Sequence, residues 1–535
     1  VDFLSAFGHS GPDKGVKNKE GVMGRKSLII LTLILSGMLN LCSADVSLAP
    51  IFSNGAVLQR EARIPVWGTA GPGEKIILTI GDINISTTAD ENGNWKIFLP
   101  EHKAGGPYEM VVSGKNTITV SDIYFGDVWF CSGQSNMAMY VAGSANAQEE
   151  IKQASNPMIR EFKIPGIPSE NPKNELQGTW KVCNSSTVGS FSATAYFFAK
   201  NIQPEIGVAI GIINCSVGGT RIEAWMSRQS LEKIPEMKKF LEIQDKNIQD
   251  YKVAMEQYNN KIKEWQDACE KAKKDGTPLP EKPQPPKSPI NANAYSALFN
   301  GMVAPLQGFP IKGILWYQGE SNTRSNAYLY RTLLSALIDD WRNFWKQEVP
   351  FIFVQLPNIG KVCETYEDNT WAVLRESQLV NLNKPKTAMA VTIDIGEANN
   401  IHPLNKQEVG KRLALAALAT VYGKKIVYSG PVYSGMKIEG NKIRIKFNHT
   451  GSGLIAKDSD RLMGFVIAGE DQKFVKAQAK IENDTVVVWS DEIEKPVAVR
   501  YAWAGNPVCN LYNKEGLPAS PFRTDNWQVI SMPLK

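Results

Sequence analysis

The sequence predicts an α/β protein: a central domain on a parallel sheet covered by helices, flanked by N-terminal and C-terminal β-rich domains. Three observations carry this reading. Hydrophobic residues alternate with period two over residues 45–120 and again over 426–535. Between them, over 121–425, short apolar runs are separated by polar or helical stretches, the pattern of strands buried on both faces of a parallel sheet. At 535 residues the chain is also long enough for about three domains.

Composition narrows the function classes. A hydrophobic fraction of 43% and a charged fraction of 21% exclude wholesale disorder. A net charge of +5 over this length offers no case for a nucleic-acid partner. Seven cysteines are too few for a disulfide scaffold, and no CxxC or Cys/His cluster marks a metal site.

Residues 1–44 read as an upstream segment and signal peptide. Arg25-Lys26 precede an apolar stretch, Ser27 to Leu41, that ends at the small residues Ser43-Ala44. The stretch falls short of the roughly 20 residues that span a bilayer, so no membrane span is expected in the mature chain. Val1 to Val22 lie upstream of Met23, which looks like the natural start. The protein is expected to be exported, periplasmic or secreted. Lipoprotein anchoring through Cys42 ranks second because the bulky Leu41 precedes it.

Within residues 45–120, Trp95, Ile97 and Leu99 alternate with polar residues, as do Tyr108, Met110 and Val112. Turn signals at Gly71-Pro72-Gly73 and Asn92-Gly93-Asn94 complete the pattern of a small β-sandwich. In the middle region the apolar runs are Val128–Cys131, Val208–Asn214, Gly313–Tyr317, Phe351–Gln355 and Ala388–Ile393. An insertion over 228–290 interrupts it. There Ile248, Tyr251, Met255, Tyr258, Ile262, Trp265 and Cys269 recur at helical spacing, followed by an extended Pro278–Pro289 stretch. It reads as a helical arm packed on its own domain, with a substrate lid or a homo-oligomer contact as alternatives. In residues 426–535 Ile443, Ile445 and Phe447 restore the alternation.

Ligands of open parallel sheets collect at the carboxyl ends of the strands. The first middle strand ends in Cys131-Ser132-Gly133-Gln134-Ser135-Asn136-Met137, where Gly133 permits a sharp turn and Ser135 opens a helix. Alone, such a serine reads as a helix cap. Met137 breaks the Gly-x-Ser-x-Gly pattern of a nucleophile elbow. Two further strand ends add polar and glycine clusters, Cys215-Ser216-Val217-Gly218-Gly219-Thr220 and Gln318-Gly319-Glu320-Ser321-Asn322. A serine nucleophile needs a base titrating near neutrality. Of four histidines, only His402 lies in the α/β region, just after the strand that leads to Asp394. Asp394 or another carboxylate could orient it. Cys131 and Cys215, beside these loops, read as small apolar packing residues.

Gly126-Asp127-Val128-Trp129-Phe130-Cys131-Ser132-Gly133-Gln134-Ser135-Asn136-Met137 resembles the first block of the sialate O-acetylesterase family. Trp316-Tyr317-Gln318-Gly319-Glu320-Ser321-Asn322 resembles another, and Asp394-Ile395-Gly396 with Ile401-His402-Pro403 and Lys406 resembles the last catalytic block. Arg500-Tyr501-Ala502-Trp503 and Gly516-Leu517-Pro518-Ala519 through Pro521-Phe522-Arg523-Thr524-Asp525 are similar to its C-terminal signature. The resemblance implies an SGNH-type, flavodoxin-like hydrolase domain with flanking β-rich domains. It implies Ser135 as nucleophile, His402 as general base and then acid, and oxyanion donors at the Ser135 and Gly218 N–H groups and the Gln318 amide, with Asn322 in the same substrate-binding cluster. No cofactor or metal is implied.

The resemblance fails at one point. Asn399 stands three residues before His402, where SGNH hydrolases usually carry Asp. Asp394 is therefore the expected orienting acid, Glu320 its rival, and a dyad with a backbone carbonyl a third option. The implied activity is hydrolysis of O-acetyl esters on sugars, with O-acetylated sialic acids first and acetylxylan or other hemicellulose second. A non-catalytic glycan-binding protein is the reading from another class; it predicts glycan retention without turnover and indifference to Ser135→Ala.

Overall fold

The structure, a computed structural model, describes residues 45–533. The segment read as a signal peptide, with Met23 and Cys42, lies outside the described residues. The first strands are β1 (Val57–Gln59), β2 (Ile64–Thr69), β3 (Lys75–Ile80), β4 (Ile83–Thr88), β5 (Asn94–Leu99) and β6 (Gly105–Ser113). Trp95, Ile97 and Leu99 of β5 are buried while their neighbours face water, as period-two alternation requires. β3 pairs antiparallel with β4 and β6, and β2 pairs with β5.

β7 (Thr117–Gly133) is 17 residues long and serves two sheets. Its first half pairs with β6 and its second half, buried throughout from Phe125, lies between parallel neighbours. After it come helix α1 (Ser135–Ala138), α2 (Ala147–Gln153), β8 (Ser155–Lys163), β9 (Thr179–Asn184), α3 (Ala193–Ile206), β10 (Ile210–Ser216), α4 (Arg228–Leu231) and α5 (Lys238–Asp275). Then follow β11 (Gly313–Tyr317), α6 (Tyr330–Trp345), β12 (Phe351–Gln355), β13 (Val362–Cys363), α7 (Thr370–Leu379), β14 (Thr387–Val391) and α8 (Lys406–Thr420). The sheet order is β14-β12-β11-β7-β10-β8-β9, parallel except for β9 at the edge.

Successive residues of β7 point to opposite faces. Trp129 packs edge-on against Phe198 of α3, and Phe130 against Trp341 of α6, so helices cover both sides. All five apolar runs read from the sequence lie in this sheet. β8 escaped that reading because Ser155-Asn156-Pro157 opens it with polar and proline residues, and its register breaks between Asn156 and Arg160.

In the insertion, α5 runs for 38 residues. Ile248 and Cys269 of the expected stripe are buried, and Tyr251, Met255, Tyr258, Ile262 and Trp265 are half-buried. The Trp265 indole donates to the Pro280 carbonyl at 2.9 Å, which lays the proline-rich stretch back along the helix. Nearer its start, Gln244 binds both the N–H and the carbonyl of Tyr295.

The last region carries its own core, with Ile443, Ile445, Val486, Val488, Tyr501 and Phe522 buried together. Its family-like signature residues are structural. Arg500 and Asp525 form a bidentate ion pair with both side chains 2% exposed, and Arg523 pairs with Glu376 of α7. Arg375 of α7 donates to the carbonyls of Ala504 and Gly505, which fastens this region to the sheet domain.

Candidate active site

At the end of β7, Gly133 has φ +138°, and a Cβ there would run into the Tyr317 carbonyl at the end of β11. Only glycine lets the two strand ends lie so close while the chain turns into α1. That turn presents Ser135 in a cleft of about 640 Å³, lined also by Gln134, Gly218, Arg221, Glu320 and His402. His402 Nε2 lies 2.8 Å from Ser135 Oγ, although 267 residues separate them. Gly218 sits beside the serine: a Cβ built on it would be 3.5 Å from Ser135 Cβ. Neither the Ser135 nor the Gly218 N–H meets an acceptor among the described residues.

The loop carrying His402 is held on both sides. The His402 N–H donates to Asn400 Oδ1 at 3.0 Å, and Asn400 Nδ2 donates to Glu397, which also accepts the Leu404 N–H. Asn136 Nδ2 donates to the Ile401 carbonyl at 3.0 Å, and Lys406 Nζ donates to the Pro403 carbonyl at 2.6 Å. Lys406 also donates to Asn136 Oδ1 at 2.7 Å, and Asn136 Nδ2 reaches Glu320 Oε1 at 2.5 Å. One buried amide thus ties the nucleophile helix, the Glu320 loop and the histidine loop together. Asn136 and Lys406 fell within these motifs but received no role from the sequence, because Asn136 meets Glu320, Ile401 and Lys406 only across 184 to 270 residues of chain.

Burial lowers the His402 pKa below the usual imidazole value, and the nearby Lys406 charge lowers it further. Burial likewise pushes Lys406 down to about 7. Glu320 is pushed up by burial, which outweighs the hydrogen bond from Asn136, and its Oε2 is buried without a partner.

Asp394, expected as the orienting acid, does not reach His402. Both its oxygens are taken by Arg412, at 2.6 and 2.8 Å, and no hydrogen bond connects it to the imidazole. Burial raises its pKa, but the Arg412 hydrogen bonds and charge win and hold it low. Glu320, the rival, reaches Asn136 rather than His402. Among the described residues no carboxylate contacts the imidazole, so the geometry is that of a dyad. Asp394→Asn should accordingly cost about 2 kcal/mol of stability, because Arg412 loses its bidentate partner and keeps only Glu408, while kcat of the folded enzyme stays within about tenfold. Melting and kinetics of that variant check this; a loss of kcat by several orders of magnitude would return Asp394 to the imidazole.

Gln318 and Asn322 also differ from expectation. The Gln318 amide is fully buried and donates to Gln134 Oε1, Thr220 O and Asn322 Oδ1. Asn322 accepts from the Ile222 N–H and donates to Glu223. Both stand behind the cleft wall with their capacity spent, holding Gln134 and the Gly218 loop in place. Cys131 and Cys215 are buried and unbonded, and burial raises both thiols well above their usual range. No three His, Cys, Asp or Glu side chains gather in a metal-binding group among the described residues.

The chain matches the family model described as carbohydrate esterase, sialic acid-specific acetylesterase, over residues 125–276 and 259–419. It is 27% identical over 543 residues to a sialate O-acetylesterase of Mus musculus, covering 92% of this chain and 97% of that one. A sialate O-acetylesterase of Homo sapiens is 28% identical over 522 residues, covering 89% and 91%. The structure aligns with a carbohydrate acetylesterase from Xanthomonas citri at TM-score 0.76 and 38% identity, covering 90% of this chain and 100% of that one. With the family model spanning more than half of its length, the chain belongs to the sialic acid-specific acetylesterase family of carbohydrate esterases.

Proposed function

We propose that the protein is a serine esterase that releases acetate from O-acetylated sugars, with O-acetylated sialic acids as its first substrates. The observation that carries the mechanism is the 2.8 Å contact of Ser135 Oγ with His402 Nε2 inside a cleft of sugar size. Ser135 Oγ passes its proton to His402 Nε2 and attacks the acetyl carbonyl. The tetrahedral oxyanion is received by the free N–H groups of Ser135 and Gly218, each contributing roughly 3 kcal/mol to lowering the barrier. His402 then protonates the leaving sugar oxygen, leaving an acetyl-serine. Water, deprotonated by His402, attacks that ester, and acetate departs with the proton returned to Ser135. The basic-then-apolar stretch of residues 25–41 supports an exported enzyme.

Acetate release from an O-acetyl sialic acid and from an acetylated xylo-oligosaccharide, measured side by side, tests the reading. Turnover of the first supports it; turnover of the second alone would move the substrate to hemicellulose. Release from neither would overturn it.

The pH profile is a second check. His402 acts as base only when neutral, so kcat/KM falls as pH drops through its pKa. Because burial holds that pKa below 6.5, the acid limb of kcat/KM should be centred below 6.5. An acid limb centred at or above 7 would contradict the environment described for the imidazole.

A further inference from the structure

Two guanidinium groups in the cleft have no carboxylate. Three arginines that fasten the fold are paired with carboxylates: Arg412 with Asp394, Arg500 with Asp525, Arg523 with Glu376; a fourth, Arg375, spends its donors on backbone carbonyls. Arg221 and Arg324 line the cleft beside Ser135 and His402, and among the described residues neither makes an ion pair. Arg324 is exposed and has no hydrogen-bond partner among the described residues.

Arg221 is held without being neutralised. Its N–H donates to Asn293 Oδ1 at 2.9 Å, and Asn293 Nδ2 donates to the Gly219 carbonyl at 3.0 Å. Its guanidinium touches the Asn293 carbonyl at 3.5 Å and stands 5.8 Å from the Tyr295 ring centre. Tyr295 is pinned by Gln244 of α5, so the helical insertion braces the support under this cation. The one carboxyl lining the cleft, Glu320, gives Oε1 to Asn136. Two unpaired guanidinium groups face a single carboxyl, Glu320, which Asn136 engages through Oε1 and burial biases toward its neutral form, so the wall favours an anion, and guanidinium geometry suits a carboxylate.

We propose that Arg221 and Arg324 form an anion subsite beside the nucleophile that takes the carboxylate of an acidic O-acetyl sugar. The inference rests on the esterase reading above and deepens it: the cations select the sugar, and the Ser135–His402 pair cleaves its ester. An exposed charge pair of this kind weakens with salt, which gives a readout that needs no variant.

The test compares kcat/KM for an O-acetyl sialic acid with that for its carboxyl methyl ester, and adds an acetylated xylo-oligosaccharide. The free acid should be preferred about tenfold or more, the strength of a charge-assisted contact, and the preference should shrink as ionic strength rises. Arg221→Gln and Arg324→Gln should each lower the ratio, chiefly through KM, and the double variant should bring it close to one. Arg221→Lys should keep part of it. Acetate released equally from acid and methyl ester by the unaltered enzyme would overturn the subsite while leaving the esterase reading intact. A preference that survives in the folded double variant would overturn the assignment to these two residues. Acetate from none of the three substrates would overturn the esterase reading and this inference with it.

Discussion

Ser135→Ala and His402→Ala should each lower kcat by about four orders of magnitude or more, and the double variant should be no slower than either single one. The expectation follows from the 2.8 Å contact: in the proposed mechanism the two groups perform one step, so once either is gone the other has nothing to act on. The remaining activity should come from the N–H groups of Ser135 and Gly218, which a side-chain change at 135 or 402 leaves in place. Stability should move little, because His402 is half-exposed and Ser135 lines the cleft. Single-turnover kinetics with melting curves checks both halves. Additive losses in the double variant would mean that the residues act independently. Glycan retention without turnover in the unaltered protein, and unchanged in Ser135→Ala, would make the protein a binding module.

What was legible in the chain follows what local physics controls. The five apolar runs are strands because both faces of a parallel sheet are buried, and such a run reports that without reference to any partner. β8 was not legible, since near the sheet's edge its burial is partial and its register broken. Ser135 and His402 were legible by residue chemistry: a serine at a strand-end turn, and the one histidine in the right region. The orienting acid was not. Proximity in sequence recommended Asp394, but its ion pair with Arg412 of α8 depends on how that helix lies against β14. Gln318 was nominated through the family resemblance, and the tertiary packing spent its amide on three acceptors inside the wall. Chain proximity and residue type nominate a side chain. Which acceptor it meets is set by elements hundreds of residues away.

Among the described residues no carboxylate meets the imidazole, so His402 is held in line through its loop, and the geometry assigns part of that to Lys406 acting through the backbone. Lys406 is fully buried and outside the cleft lining, so it is a positioning residue rather than a catalytic one. Lys406→Met keeps the stem and removes both hydrogen bonds, to Pro403 O and Asn136 Oδ1. The histidine loop then loses the hydrogen bond on its Pro403 side, leaving those from Asn136, Asn400 and Glu397, and a displacement of about 1 Å at the base costs about a hundredfold in rate. The expected result is a kcat lower by about that factor with KM little changed. A second effect separates positioning from mere destabilisation. The Lys406 charge depresses the His402 pKa, so its removal should move the acid limb of kcat/KM upward. Lys406→Gln, which retains a donor without the charge, should recover part of the kcat while keeping the upward limb. A folded Lys406→Met enzyme with kcat within about threefold of the parent and an unmoved acid limb would show that the remaining hydrogen bonds suffice. An intermediate loss of kcat with the limb unmoved would confine Lys406 to packing and leave its charge without influence on the base.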